Sequence, residues 1–218
     1  FYQCIRKSSG SALFTFISTL HSLCDSPAWV PGDTNGVQLD PNVEKIAHVI
    51  MRAILDTWDA ADDRTAAIEP CQSIASCLNK CGPGLISPQW IEPTCQLTMQ
   101  ILEKKAPSQI DPEADEDEET EDSSEYESVL ISAAMDLVGA MAYVLCDSFM
   151  TPMRQFLPLL CKYYSPGRSV TDRATAIGSL GEITVNMKRD ITPYTQNILA
   201  ILSHAVGDED ASERSNAA

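Results

Sequence analysis

The feature that most constrains the fold is a two-helix unit that returns along the chain. Its clearest copy spans residues 168 to 207. A first helix opens at Asp172-Arg173 and carries Ala176, Leu180, Ile183 and Met187, spaced four, three and four, which puts one apolar stripe on one helical face. A second helix is expected from Thr192 as N-cap and Pro193 at the first helical position, followed by the stripe Tyr194, Ile198, Ile201, Leu202 and Ala205. The cap-plus-proline start recurs as Asp40-Pro41, Ser87-Pro88, Thr151-Pro152 and Thr192-Pro193, at intervals of 47, 64 and 41 residues. The arginine start recurs at Arg64, Arg173 and Arg214, and the last two are again 41 apart. Between Arg64 and Arg173 lie 109 residues, which is two periods plus an insertion. The skipped copy falls near Val129 and lacks the arginine. An internal period of this size, built from two amphipathic helices, predicts an all-α solenoid of HEAT or armadillo type: antiparallel helix pairs in a right-handed superhelix.

The expected repeats cover about residues 1–60, 62–106, 125–165 and 168–207, with a further one beginning at 210–218. Within them, helices are expected at 1–24, Pro41 to Asp59, Arg64 to Cys81, Pro88 to Lys105, Glu125 to Cys146 and Thr151 to Tyr164. Gly82-Pro83-Gly84 punctuates the third, and Pro93 predicts a late start or a kink in the fourth. Ser124 followed by Glu127 reads as a capping box. The chain has no initiator methionine and stops at Ala218 inside what reads as a new helix, so it is expected to be a piece of a longer solenoid. Asp136 interrupts the most apolar stretch, so no membrane span is expected.

The insertion identifies itself by charge. Residues 111 to 127 hold eleven Asp or Glu and no Lys or Arg, so outside them the net charge of −16 falls to −5. Such a block cannot offset the entropy of ordering, and 107–124 reads as an acidic flexible loop. A mobile polyanion beside a helical wall raises the local concentration of Lys/Arg-rich segments and speeds their encounter. Nucleic acid is excluded as a partner, because the only basic doublets are Arg6-Lys7, Lys104-Lys105 and Lys188-Arg189.

Catalytic chemistry is absent from the pattern. His21, His48 and His204 lie far apart on amphipathic helices, and no serine or cysteine has a base beside it in a recognisable motif. The eight cysteines include no C-x-x-C pair, so they read as buried, reduced thiols of a cytosolic or nuclear protein. No metal or cofactor is expected, and the chain is not read as an enzyme.

The run from Thr171 to Ile183, with Met187-Lys188, Thr192-Pro193-Tyr194 and the closing Arg214 to Ala218, resembles the central HEAT repeats of the importin-β superfamily. The resemblance is to the importin-four type of nuclear import receptor, in its fungal form. Lys80-Cys81-Gly82-Pro83 and Ser128 to Ala134 after an acidic loop fit the same branch. It implies a karyopherin segment that holds basic cargo, such as histones and ribosomal proteins, on a concave face lined by second helices. It also implies nucleoporin contacts, shuttling between cytoplasm and nucleus, and release by the GTPase Ran through repeats mostly outside this segment. Candidate cargo contacts are the loop acids Asp115, Glu116, Asp117, Glu118, Glu119, Glu121 and Asp122, with Asp56, Trp58, Asp59, Glu103 and Asn197 on second helices. Burial is the favoured role for Trp58. The alternative is a HEAT scaffold subunit that organises an enzyme complex.

Overall fold

The computed structural model describes residues 2–24, 29–30, 39–61, 63–110, 121–165 and 167–207, with side chains from residue 12 onward except 64, 65 and 121–124. Among these the chain is all-helical: α1 (Tyr2–Leu23), α2 (Pro41–Asp59), α3 (Arg64–Cys81), α4 (Pro88–Leu102), α5 (Glu121–Leu145), α6 (Met150–Tyr163), α7 (Val170–Met187) and α8 (Thr195–Val206). Short 3-10 turns at Gly82–Leu85, Pro107–Gln109, Cys146–Phe149 and Lys188–Tyr194 join them.

The helices form two layers. The first helices α1, α3, α5 and α7 stack side by side in chain order, while α2, α4 and α6 line up behind them. The first layer is the tighter one, and its helices bury the small side chains of Ala67, Ala75, Ala133, Ala140 and Ala176, a size that lets backbones approach. One continuous apolar core runs between the layers. Its centre is α5, with α3 and α7 on either side and α4 behind.

That position corrects the expectation drawn from Asp136. A window of the α5–α6 region is long and apolar enough, by length and composition alone, to cross a membrane, and Asp136 does not break it. Most of this window is buried within the fold. A helix apolar on nearly all sides is what a solenoid needs where neighbours cover it on three sides.

Several helix starts also differ from the cap-plus-proline reading. At α2 it holds, with the Asp40 carboxylate accepting from Asn42 N–H at 2.8 Å and Pro41 in the first turn. Ser87 occupies the N-cap of α4, but its side chain makes no capping bond. Thr151-Pro152 falls inside α6, and Thr192-Pro193 lies in a 3-10 turn ahead of α8. In both places the chain leaves the first helix by a 3-10 turn, so proline's fixed φ is used within the connection or the first turn. The cap of α7 is Ser169, which accepts from Asp172 N–H at 3.0 Å; α7 therefore starts two residues before Asp172. Helix α5 starts at Glu121, so Ser124 lies inside it and does not cap it. Helix α4 ends at Leu102, short of Lys105, and runs from Pro88 through Pro93. The backbone bond lost there is outweighed by the buried stripe Thr94, Leu97, Thr98 and Ile101.

The cysteines read as packing residues. Cys71, Cys77, Cys81 and Cys95 are buried, and the seven cysteines whose side chains are described form no disulfide. Burial pushes the Cys95 thiol up to about 12, and the neighbouring thiols of Cys77 and Cys81 share the same dry setting, 3.8 Å apart.

Candidate functional site

The acidic insertion leaves the fold from a braced edge. At the end of α4, Lys104 turns with φ 58°, and Lys105 N–H reaches back to Gln100 C=O at 2.8 Å. Gln109 Nε2 then donates to Ile101 C=O at 3.1 Å and to Glu127 Oε1 at 2.9 Å. Lys104 Nζ lies 3.4 Å from the same carboxylate oxygen. The two ends of the insertion, one after α4 and one in the first turns of α5, are thereby tied together. Behind them, Tyr163 O–H donates to Leu102 C=O at 2.9 Å, joining the C-terminal ends of α4 and α6. The Arg168 guanidinium lies 4.7 Å over the Tyr163 ring.

Of the expected contacts, Asp115, Glu116, Asp117, Glu118 and Glu119 lie outside the described residues. Glu121 and Asp122 belong to the first turn of α5, and Pro107–Gln109 are a 3-10 turn, so the loop expected over 107–124 is structured at both ends. Asp56 and Asp59 are exposed near the C-terminus of α2, with Asp56 3.9 Å from Arg52 in a pair open to water. Trp58 is buried, 4% exposed, and belongs to the core. Glu103 is exposed at the C-cap of α4 and pairs with Lys105 at 2.8 Å. Asn197 is exposed on α8. Asp56, Asp59 and Glu103 therefore share the C-terminal ends of α2 and α4 with the root of the insertion, and Asn197 stands apart, toward the start of α8.

Histidines stitch the second-helix layer. His48 Nδ1 lies 3.0 Å from Trp90 Nε1 and 2.8 Å from Gln89 Nε2, across α2 and α4. Because the indole N–H only donates, Nδ1 is the acceptor there. His204 Nδ1 meets Tyr164 O–H at 2.7 Å across α6 and α8.

The face of the first helices holds what the sequence pattern did not single out. Helix α5 shows solvent one narrow line, and Asp136 stands on it. Across the groove on α7 stands Glu182, whose carboxylate lies over Gly139, where a Cβ would come within 3.0 Å of Oε2. Both acids line the groove between α5 and α7 and the adjoining one toward α3, and neither lining includes a Lys or Arg. Both side chains remain exposed to solvent, and the groove walls take part of their water, which raises each carboxyl above its ordinary value; for Glu182 the Asp136 charge adds to the shift. The signal in the sequence was a carboxylate inside an otherwise apolar helix.

A stability consequence follows from the sign of these shifts. A carboxyl whose folded-state pKa is raised binds its proton more tightly in the native state, so its stabilising contribution is complete below the unfolded value and is lost as pH rises through the folded one. Glu182→Gln is expected to raise the melting temperature at neutral pH, with the gain shrinking as pH falls into the ordinary carboxylate range. Thermal melts by circular dichroism across that range check it; a gain independent of pH rules out the electrostatic origin.

Residues 94–217 match the family described as "Importin subunit beta-1-like, TPR repeats". The chain is 30% identical over 226 residues to the "Probable importin subunit beta-4" of Schizosaccharomyces pombe, a match covering 100% of this chain and 21% of that protein. It is 26% identical over 215 residues to the "Importin-4" of Homo sapiens, covering 98% of this chain and 19% of that protein. The chain thus spans about a fifth of the length of these relatives. With a helix-pair solenoid, an acid-rich insertion braced at its edge and a family match over more than half its length, the chain belongs to the importin-β family, with its likeness to the importin-4 type.

Proposed function

We propose that the chain is a cargo-binding segment of a nuclear transport receptor, a binding protein and not an enzyme. Its cargo is basic polypeptide of the histone and ribosomal-protein kind, carried through nuclear pores with nucleoporin contacts and released under Ran control. The observation that carries this reading is the likeness along the whole chain to importin-4 type relatives, in a chain whose negative charge is gathered into one braced insertion. The acids of 111–122, with Asp56, Asp59 and Glu103 on the adjoining helix ends, form the attracting surface, and Asn197 is a separate contact at the start of α8. Electrostatic attraction of this kind is long-ranged and strongly screened by salt.

Deleting residues 111–120, which leaves α5 intact, is expected to weaken binding of a histone-tail peptide and to flatten its salt dependence. Fluorescence anisotropy across a salt series measures both; unchanged affinity removes the insertion from the function. Capture from extract, with and without GTP-loaded Ran, tests the receptor reading itself. Stable recovery of an enzyme's catalytic subunit, insensitive to Ran, would favour a scaffold.

A further inference from the structure

We propose that Cys77 and Cys81 are a reversible disulfide site, oxidised by a small hydroperoxide that enters the groove between α1 and α3, and that closing the bond lifts Trp29 off the end of α3. The inference goes beyond cargo binding and does not depend on it, since it involves only these two helices and the residue seated on them.

Three observations meet there. First, the two sulfurs are already neighbours: Cys77 and Cys81 stand one turn apart on the same face of α3, with their Sγ atoms 3.8 Å apart. Second, the pair has an approach. Cys77 lines a groove of about 230 Å³ whose walls include Phe14 and Ser18 of α1 and Ser76 and Lys80 of α3. Cys77 is 2% exposed and Cys81 0%, so the approach suits an oxidant little larger than water and keeps bulky disulfides out. Third, the pair ends its helix. Cys81 is the last residue of α3, and Gly82 follows at φ 69° with its N–H bonded to Leu78 C=O. Trp29 packs so closely on Gly82 that a Cβ there would overlap the indole.

The chemistry follows from the contact between the thiols. The bond with Cys77 eases ionisation of Cys81, against its burial and with the help of the Lys80 charge. Either sulfur can donate in this contact, so the negative charge can pass to the groove-facing Cys77. The thiolate attacks one peroxide oxygen and the O–O bond breaks, leaving a sulfenic acid and a hydroxide that takes up the proton lost from the thiol. The partner thiol then attacks the oxidised sulfur; the S–S bond forms, the S–O bond breaks and water leaves. Two thiols and one hydrogen peroxide thus give one disulfide and two waters.

Closing the bond has a mechanical consequence. A disulfide needs Cβ atoms about 3.5–4.5 Å apart, whereas residues four apart on a helix hold theirs at about 5–6 Å. The bond cannot close on an intact turn, and the turn that gives is the last, where only the Gly82 cap follows. A shift of Gly82 takes the seat from under Trp29, and with it the edge-on contact of Trp29 with Tyr143 of α5, at 5.2 Å between centroids. Oxidation of α3 is thereby read out at its joint with α5.

The test treats the purified, reduced protein with hydrogen peroxide, blocks the remaining thiols with iodoacetamide and digests with trypsin. Cleavage after Lys80 falls between the two cysteines, so the bond appears as peptide 65–80 joined to peptide 81–104, and fragmentation assigns the sulfurs. The Cys77–Cys81 link is expected to form roughly tenfold or more faster than any link through Cys24, Cys146 or Cys161, because its partners are held together. Tryptophan emission should shift to the red in step with the link and return on adding dithiothreitol. Trp29→Phe should keep the link and lose the shift, while Cys77→Ala and Cys81→Ala should each lose both. The map of the unchanged protein stands even where a variant fails to fold. Peroxide products confined to other cysteines, or a link through Cys71 or Cys95 in place of this pair, overturn the site. A Cys77–Cys81 link with unchanged emission, or a shift that survives Trp29→Phe, overturns its coupling to Trp29.

Discussion

Gly82→Ala is expected to cost about 4 kcal/mol or more of folding stability, a large share of the 5–15 kcal/mol typical of a domain. Gly82 ends α3 at φ 69° and ψ −160°, a backbone region open essentially to glycine, where another residue is strained by about 1–3 kcal/mol. A Cβ there would also enter the Trp29 indole, lying 2.7 Å from Cδ1 and Cδ2. Trp29 has nowhere near to go. It is 9% exposed and meets the Tyr143 ring edge-on, with centroids 5.2 Å apart. Displacing it forfeits burial that, on truncation, is worth about 3–5 kcal/mol. Urea denaturation measures the effect. Gly167→Ala, where a Cβ meets nothing within 4 Å, is the control and should change stability by less than about 0.5 kcal/mol. In a Trp29→Ala background the Gly82 change should cost only its backbone strain, and the difference between the two backgrounds isolates the contact. Equal costs in both backgrounds would show that Trp29 does not seat on Gly82.

The second large effect lies at Tyr163. Its ring is fully buried, 0% exposed, and its hydroxyl satisfies Leu102 C=O at the end of α4. Tyr163→Ala is expected to cost about 3–5 kcal/mol, and Tyr163→Phe about 1–2 kcal/mol, since phenylalanine keeps the packing and leaves the carbonyl unpaired. Burial pushes the phenol above the ordinary tyrosine range, with the Arg168 charge opposing in part. In an absorbance titration one tyrosine should therefore resist ionisation until the protein unfolds in alkali, and Tyr163→Phe should abolish that late component. If the late component persists in the variant, the buried phenol is another residue. Because this bond closes the edge from which the insertion springs, the same variants should loosen the insertion's root before they disturb α1 to α3.

The sequence alone already carried the helical period, the bounds of α2 and α3 and the acid block. Each is a local property: amphipathic spacing, a capping aspartate before proline, a glycine after the last turn, charge summed along a stretch. Readings failed where one local signal served two structures. Proline after a capping residue marks a helix start at Asp40-Pro41, yet at Thr192-Pro193 the same pairing lies in a 3-10 turn, because the chain turns at Lys188 with φ 50° and enters that turn directly from α7. The strongly apolar α5 region looks the same in sequence whether lipid or other helices surround it. Here α3, α4 and α7 do.

The candidate sites divide the same way. Exposed acids on α2 and α4 are legible from their place off the apolar stripe, and Trp58 from its place on it. Asp136 and Glu182 are 46 residues apart, and nothing in their spacing pairs them. Stacked helix pairs and a charge gathered into one insertion follow from local patterns, because amphipathic faces have to be buried and like charges do not pack. Packing between helices set the rest: Trp29 closes over Gly82, Tyr163 seals the end of α4, and two carboxylates face each other across α5 and α7. Those are contacts between separate helices, and their partners are set by how the layers stack.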